Sequence, residues 1–197
     1  MSWLSHFPLT AAFVGLFVVG SAGAQSGPIP VVHVGNTVVQ HLTAPGVRVV
    51  VFYFAATDCP ISNRYVPEIQ RLDREYASNG VRVWWVYPNP TDDAAAISRH
   101  RLEFGITGGV FPDPPESAVS LAHATITPEA AVFVVDGGEL REVYRGRIDD
   151  RYISIGQERP RATRYDLELA ISAALAGKPV PHPEGPPVGC AIIPPQR

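Results

Sequence analysis

Cysteine is scarce in this 197-residue sequence, which contains only Cys59 and Cys190. Two thiols are too few for a disulfide scaffold, and these two lie too far apart along the chain for a zinc knuckle. A basic stretch that could hold a phosphate backbone is also missing, since 16 Lys and Arg face 19 Asp and Glu for a net charge of −3. We therefore expect no nucleic-acid partner. The cysteines can form a single structural bridge, or one can be a reactive thiol that the other assists.

Long hydrophobic runs are scarce as well. The N-terminal run at residues 9–20 is too short to span a bilayer comfortably. Ala22 and Ala24 follow it in the A-x-A pattern of a signal-peptidase site. We therefore expect a signal peptide at residues 1–24 and a periplasmic or secreted protein, in a compartment where disulfides persist. Because the first residues lack Lys and Arg, the alternative is an uncleaved segment that anchors the chain in the membrane.

The first half of the remaining chain alternates strands and helices. Residues 31–42 are typical of a hairpin. The strand and helix patterns that follow predict a βαβ unit with a parallel strand pair. The predicted elements are a buried strand at 47–56, a helix at 61–78, a second buried strand at 81–87 and a helix at 91–104.

The second half has a different order. We predict a loop at 107–116, a short helix at 117–124, an antiparallel hairpin from strands 130–135 and 140–145, and a final helix at 163–176. Beyond it, residues 178–197 hold seven prolines, so this tail is expected to be extended. The pattern predicts an α/β fold in one domain, residues 25–177, followed by the tail at 178–197.

Three separated features resemble the thioredoxin superfamily over about residues 30–176. A buried strand leads directly into Cys59 at a helix start, Pro67 interrupts that helix eight residues later, and Thr127-Pro128 precedes a buried strand. The resemblance implies a thioredoxin-like three-layer α/β/α fold with a central mixed sheet. It also implies a cis Thr127–Pro128 bond opposite the cysteine. Asp58-Cys59-Pro60 and the 144–147 strand resemble the exported redoxin group, the peroxiredoxin-like and thiol-disulfide exchange proteins of bacteria.

Besides Asp58, which replaces the tryptophan before the cysteine, three positions depart from the patterns of this superfamily. The second cysteine of its C-x-x-C motif is Ser62, and the buried acid six residues before the first cysteine is Tyr53. Ala56 stands where peroxiredoxins carry a threonine or serine. These departures argue against a standard dithiol reductase and against a standard peroxidase.

Cys59 nevertheless has suitable surroundings for thiol chemistry. Pro60 at the first helical position places Cys59 at or beside the N-cap, where free amides and the helix dipole stabilise a thiolate. Asp58 opposes that charge, and Arg64 or Arg147 could offset Asp58. Because a hydroxyl at Ser62 cannot resolve a mixed disulfide, the tail cysteine, Cys190, is the candidate resolving thiol.

The resulting hypothesis is an exported thiol-disulfide oxidoreductase with Cys59 as nucleophile and Cys190 as its resolving partner. Thr127 and Pro128 would form the backbone edge that faces the substrate, which would be a protein thiol or disulfide or a small hydroperoxide. We expect no cofactor. One alternative is a copper-binding, chaperone-like protein with Cys59, Cys190 and His123 as ligands. Others are a purely structural Cys59–Cys190 bridge and a non-catalytic partner-binding domain with an inert Cys59.

Overall fold

The computed structural model describes residues 42, 44–111 and 118–193. The predicted signal peptide lies outside these residues, as does the predicted hairpin at 31–42 apart from Leu42. Within the described ranges, no helix is both long enough and apolar enough to cross a membrane.

Nine strands and four α-helices follow one another in the described part of the chain. They are β1 Val49–Phe54, α1 Pro60–Tyr76, β2 Val81–Val86, α2 Ala94–Phe104, β3 Gly109–Phe111, α3 Ala118–Ala122, β4 Ile126–Thr127, β5 Glu129–Asp136, β6 Glu139–Gly146, β7 Tyr152–Ser154, β8 Gln157–Glu158, α4 Asp166–Leu175 and β9 Cys190–Ala191.

Five strands form the central sheet in the order β3-β2-β1-β5-β6. β1 pairs in parallel with β2 and antiparallel with β5, so the sheet is mixed, as predicted. All six residues of β1 are buried, which explains the unbroken apolar sequence of this central strand. The antiparallel hairpin predicted in the second half is the pair β5–β6.

Each face of the sheet carries its own apolar core. On one face, residues of β1 such as Val51 pack with Ile69 of α1 and Ile171 of α4. On the other face, Phe52 packs edge-on against Phe133 at a ring separation of 5.4 Å, in a cluster that includes Ala122 of α3. Helices thus cover both faces, which confirms the predicted three-layer α/β/α arrangement.

The structure adds strands where the sequence predicted none. Residues 109–111 lie in the stretch predicted as a loop, yet they form β3 and pair with β2. β7 and β8 form a small hairpin between β6 and α4. The tail is extended as predicted, but part of it is the strand β9, which pairs antiparallel with β4.

Candidate redox site

Cys59 is the N-cap residue of α1 and is completely buried. Its backbone is extended, at φ −88° and ψ 109°, and Pro60 begins the helix behind it. The Cys59 side chain makes no capping hydrogen bond, so the thiol is directed elsewhere. It donates to the carbonyl oxygen of Thr127 at 3.3 Å.

Thr127 reaches Cys59 because of the sheet topology. The peptide bond between Thr127 and Pro128 is cis, as the resemblance implied, and it connects β4 with β5. β5 lies beside β1 in the central sheet. The end of β1 leads to Cys59, so the two loops meet at one edge of the sheet.

The C-terminal tail completes the site. In the β4–β9 pair, Thr127 lies opposite Cys190 and Ile126 opposite Ala191. The Cys190 thiol donates to the sulfur of Cys59 at 2.8 Å, although the two residues are 131 positions apart. A disulfide bond is about 2.05 Å long, so the two sulfurs would have to approach each other by less than about 1 Å. All four predicted site residues, Cys59, Thr127, Pro128 and Cys190, therefore lie together.

Gly189 allows the tail to approach this closely. A Cβ atom at that position would overlap the Thr127 carbonyl oxygen and lie 2.8 Å from Cδ of Pro128. Contacts of this length are repulsive, and backbone atoms cannot yield to them easily. Sequence reasoning missed Gly189, although a glycine directly before the tail cysteine is the visible signal for such an approach.

The two cysteines differ in exposure. Cys59 is fully buried, whereas Cys190 is exposed as a residue. The sulfur of Cys190 nevertheless points toward Cys59 and is partly enclosed. This enclosure, followed by the hydrogen bond to Cys59, raises the pKa of the Cys190 thiol to about 12.

The departures from the superfamily pattern contact one another behind Cys59. The Tyr53 hydroxyl donates to the Ser62 carbonyl oxygen at 2.9 Å and lies 3.3 Å from the Ser62 hydroxyl. The Ser62 hydroxyl oxygen also accepts from the amide of Ala56 at 3.3 Å. Burial raises the pKa of Tyr53 well above its usual range, so Tyr53 stays protonated and acts as a donor. These groups form a structural unit beneath the loop that carries Cys59.

A second polar network holds the same loop from the other side. Asp92 accepts from the amide of Thr57 at 3.0 Å and from its hydroxyl at 2.5 Å. Asn63 of α1 donates to the Thr57 carbonyl oxygen at 3.1 Å and accepts from His100 at 2.9 Å. Burial raises the pKa of Asp92, an effect that the bonds from Thr57 oppose. Of the adjacent acids Asp92 and Asp93, only Asp93 caps α2.

Other expected participants lie elsewhere. His123 is exposed, and its carbonyl oxygen accepts from Arg145. In the described ranges, no three His, Cys, Asp or Glu side chains come together as a metal site, so the ligand set of Cys59, Cys190 and His123 is not assembled there. Neither arginine expected to offset Asp58 is paired with it, since Arg64 lies near Glu158 and Arg147 is bound to Asp166.

Comparisons with known proteins place this architecture among solved structures. No protein-family model and no curated protein sequence matches the chain. A hypothetical protein of Sinorhizobium meliloti 1021 is similar over 74% of this chain and 79% of its own, at 24% identity and a TM-score of 0.62. An uncharacterized conserved protein of Geobacillus kaustophilus is similar over 74% of this chain and 76% of its own, at 25% identity and a TM-score of 0.60.

A more distant similarity is to a secreted Mycobacterium tuberculosis disulfide oxidoreductase homologous to Escherichia coli DsbE. It covers 66% of this chain and 81% of that one, at 12% identity and a TM-score of 0.44. With its mixed sheet, a cysteine at the start of α1 and a cis-proline loop facing that cysteine, the chain has a thioredoxin-like fold.

Proposed function

We propose that the chain is an exported thiol-disulfide oxidoreductase whose redox pair is Cys59 and Cys190. The observation that carries the proposal is the 2.8 Å separation of two sulfurs that are 131 positions apart in the sequence. One of the two lies at a helix N-terminus, where thiolates are stabilised by free amides and the helix dipole. A pair in this arrangement is suited to forming and breaking a disulfide within one chain.

Cys59 is the nucleophile toward the substrate. Its thiolate attacks one sulfur of a substrate disulfide, forms a mixed disulfide with it and releases the other substrate sulfur as a thiolate. Cys190 then gives up its proton, which a substrate thiolate takes up, and attacks the sulfur of Cys59. The bond between Cys59 and the substrate breaks, and its electron pair leaves on the second substrate thiolate. The substrate disulfide is thereby reduced to two thiols, and the enzyme holds a Cys59–Cys190 disulfide.

Thr127 and Pro128 form the backbone edge that faces the substrate in this proposal. β9 pairs with that edge when the tail is docked, and Cys59 beneath it is completely buried. A substrate therefore reaches Cys59 only when the tail has moved away. An extended peptide could then pair with β4 in place of β9. A protein disulfide fits this description better than a small hydroperoxide, since Ala56 replaces the hydroxyl residue of peroxiredoxins.

Single cysteine variants test the proposal. The wild type should titrate as one two-electron couple against dithiothreitol and reduce a disulfide-bonded peptide. Cys59→Ser should abolish this exchange, and Cys190→Ser should accumulate Cys59 as a mixed disulfide, or as a sulfenic acid under mild peroxide. Full exchange by Cys59→Ser would overturn the proposal. Turnover by Cys190→Ser at the wild-type rate would remove Cys190 from the resolving role.

Export is part of the same proposal and is supported by the apolar run at 9–20 with Ala22 and Ala24 after it. Mass spectrometry of the exported protein should find a mature N-terminus near Gln25. Recovery of a full-length chain from the soluble exported fraction would contradict cleavage, and recovery from the membrane fraction would favour the anchored alternative.

A further inference from the structure

We propose that the thiol that recharges the oxidised protein attacks Cys190, so that the mixed disulfide with the electron donor forms on the tail. This inference rests on the proposed redox pair and goes beyond it, because it assigns the two partners to different sulfurs. The substrate disulfide reacts with Cys59 after the tail has undocked. The donor thiol reacts with Cys190 while the tail is docked.

Access to the two sulfurs carries the first part of the argument. Which sulfur of a disulfide is attacked depends on which one a thiolate can reach. Cys59 is enclosed by the start of α1, by the Thr127 carbonyl oxygen and by Cys190 itself, and none of its surface is exposed. Cys190 lies on the outer side of the pair, and both residues of β9 are exposed. In the docked state, a thiolate arriving from solvent meets Cys190 first.

The leaving groups support the same direction. A disulfide breaks faster when the expelled thiolate is the more stable one. Expulsion of Cys59 leaves a negative sulfur at the N-terminus of a 17-residue helix, where the helix dipole favours negative charge. Expulsion of Cys190 would leave a thiolate whose pKa is raised by partial burial and by the neighbouring Cys59. The helix dipole therefore favours expulsion of Cys59, which is the outcome of attack on Cys190.

The bonds and electrons balance with a small thiol such as glutathione as the donor. Its thiolate forms a bond to Sγ of Cys190, the Cys59–Cys190 bond breaks, and the electron pair stays on Sγ of Cys59. A second glutathione thiolate then attacks the glutathione sulfur on Cys190. Glutathione disulfide leaves, and the Cys190 thiolate takes up a proton. Two donor thiols are oxidised, and the cysteine pair gains two electrons.

The mixed disulfide can be located directly. Wild-type protein oxidised with diamide is mixed with glutathione and quenched with acid at early times, because Cys59 can attack the mixed disulfide later. The quenched protein is denatured, its free thiols are alkylated with N-ethylmaleimide, and both cysteine peptides are identified by mass spectrometry. Glutathione should occupy Cys190 at least about ten times more often than Cys59. Equal labelling, or an excess on Cys59, would overturn the inference.

Two glycine variants provide matched controls. Gly189→Ala places a Cβ against the Thr127 backbone and should loosen the docking of β9 around the Cys59–Cys190 disulfide, so glutathione should then reach both cysteines. Gly185→Ala makes the same change elsewhere in the tail, where the nearest atom is the movable Arg147 guanidinium at 3.0 Å, and should keep the preference for Cys190. Loss of the preference in both variants would contradict the role of docking. If diamide forms no Cys59–Cys190 disulfide at all, the proposed function itself fails together with this inference.

Discussion

Ser62 is buried in α1, where its hydroxyl contacts both the Ala56 amide and the Tyr53 hydroxyl. A cysteine at the same position in the superfamily pattern would supply a second redox thiol. Here the residue connects the buried end of β1 to the first turn of α1, directly behind Cys59. The loss of local redox chemistry is accompanied by a gain of local hydrogen bonding, and the resolving thiol lies on the tail instead.

Ser62→Ala should therefore lower the free energy of unfolding by about 1–2 kcal/mol, since the Ala56 amide is left without its partner. Urea denaturation of the reduced protein measures this change. Ser98→Ala is the matched control, because Ser98 is exposed on α2 and its replacement should change stability by less than about 0.5 kcal/mol. Equal effects of the two substitutions would show that the contacts of Ser62 contribute nothing.

The protonation of His100 follows from its hydrogen bonds. The Thr57 carbonyl can only accept, so the Asn63 amide nitrogen faces it and the Asn63 oxygen faces Nε2 of His100. Nε2 must then carry the proton. In the neutral ring Nδ1 is the acceptor for the Tyr87 hydroxyl, 2.9 Å away. Burial lowers the pKa of His100, which agrees with a neutral ring in the folded state.

This arrangement predicts a loss of stability in weak acid. The unfolded chain binds the His100 proton near pH 6.5, and the folded protein binds it only at lower pH. Between these two values the unfolded state holds more protons, so the free energy of unfolding rises with pH there and falls on acidification below about 6.5. Urea denaturation at several pH values from 5 to 8 should show this slope. His100→Gln should reduce it, whereas His182→Gln, at an exposed tail position, should leave it unchanged.

β9 is a two-residue strand that a small number of hydrogen bonds holds in place. The Ile192 amide donates to the Thr125 carbonyl oxygen at 3.0 Å, and the Ile193 amide donates to the side chain of Asn89 at 2.9 Å. The other tail residues that the structure describes, at 178–189 and 192–193, are all exposed or half-buried. A strand with so few bonds is able to leave its partner without unfolding the central sheet.

Gly189→Ala should accelerate hydrogen exchange of the Ile192 and Ile193 amides by at least about tenfold, since the added Cβ forces β9 away from Thr127. Exchange within β1 and β5 should stay at the wild-type rate, because these strands do not contact the tail through Gly189. Gly185→Ala is again the control. If the Ile192 amide exchanges equally fast in both variants, the tail is not held by close approach at Gly189.

The helices and strands that the sequence predicted correctly are those in which burial produces a regular spacing of apolar residues. β1 is buried on both faces and therefore apolar throughout, and α1 has one buried face and a proline at its first position. β3, β7, β8 and β9 are two or three residues long, which is too short for a periodic pattern. Their strand conformation depends on a neighbouring strand from elsewhere in the chain.

The residues of the candidate site also differ in whether the sequence could predict them. Cys59 and Thr127-Pro128 could be found from the sequence because each lies at a fixed place relative to a recognisable element. Cys190 could be named only as a thiol within reach, since its pairing with Thr127 depends on tail docking. The contacts of Asp92 with Thr57 join a loop after β2 to the loop after β1, and no sequence spacing indicates them.

The loop after β2 contacts both the segment that carries Cys59 and the tail that carries Cys190. Asp92 in this loop binds the segment that carries Cys59, and Asn89 binds the tail next to Cys190. The same short loop therefore positions both halves of the proposed redox pair. Movement of the tail away from Asn89 leaves the Asp92 contacts in place, so Cys59 can keep its position while the tail is undocked.

Oxidation should stabilise the entire domain, because a Cys59–Cys190 disulfide closes a loop of 131 positions that includes every strand of the central sheet except β1. In the chain-entropy model, a loop of this length restricts the unfolded state by about 5 kcal/mol, and measured effects are commonly about 2–4 kcal/mol. Urea denaturation of diamide-treated and reduced wild type should therefore differ by about 3–5 kcal/mol, with thiol counting to confirm each redox state. Cys190→Ser should unfold at the same urea concentration with and without diamide. Equal stabilities of the two wild-type forms, with the disulfide shown to be present, would mean that closing the bond strains the docked tail.

By linkage, the stabilisation of the fold by the disulfide equals the stabilisation of the disulfide by the fold. The expected difference would therefore make the pair harder to reduce in the folded protein than in the unfolded chain.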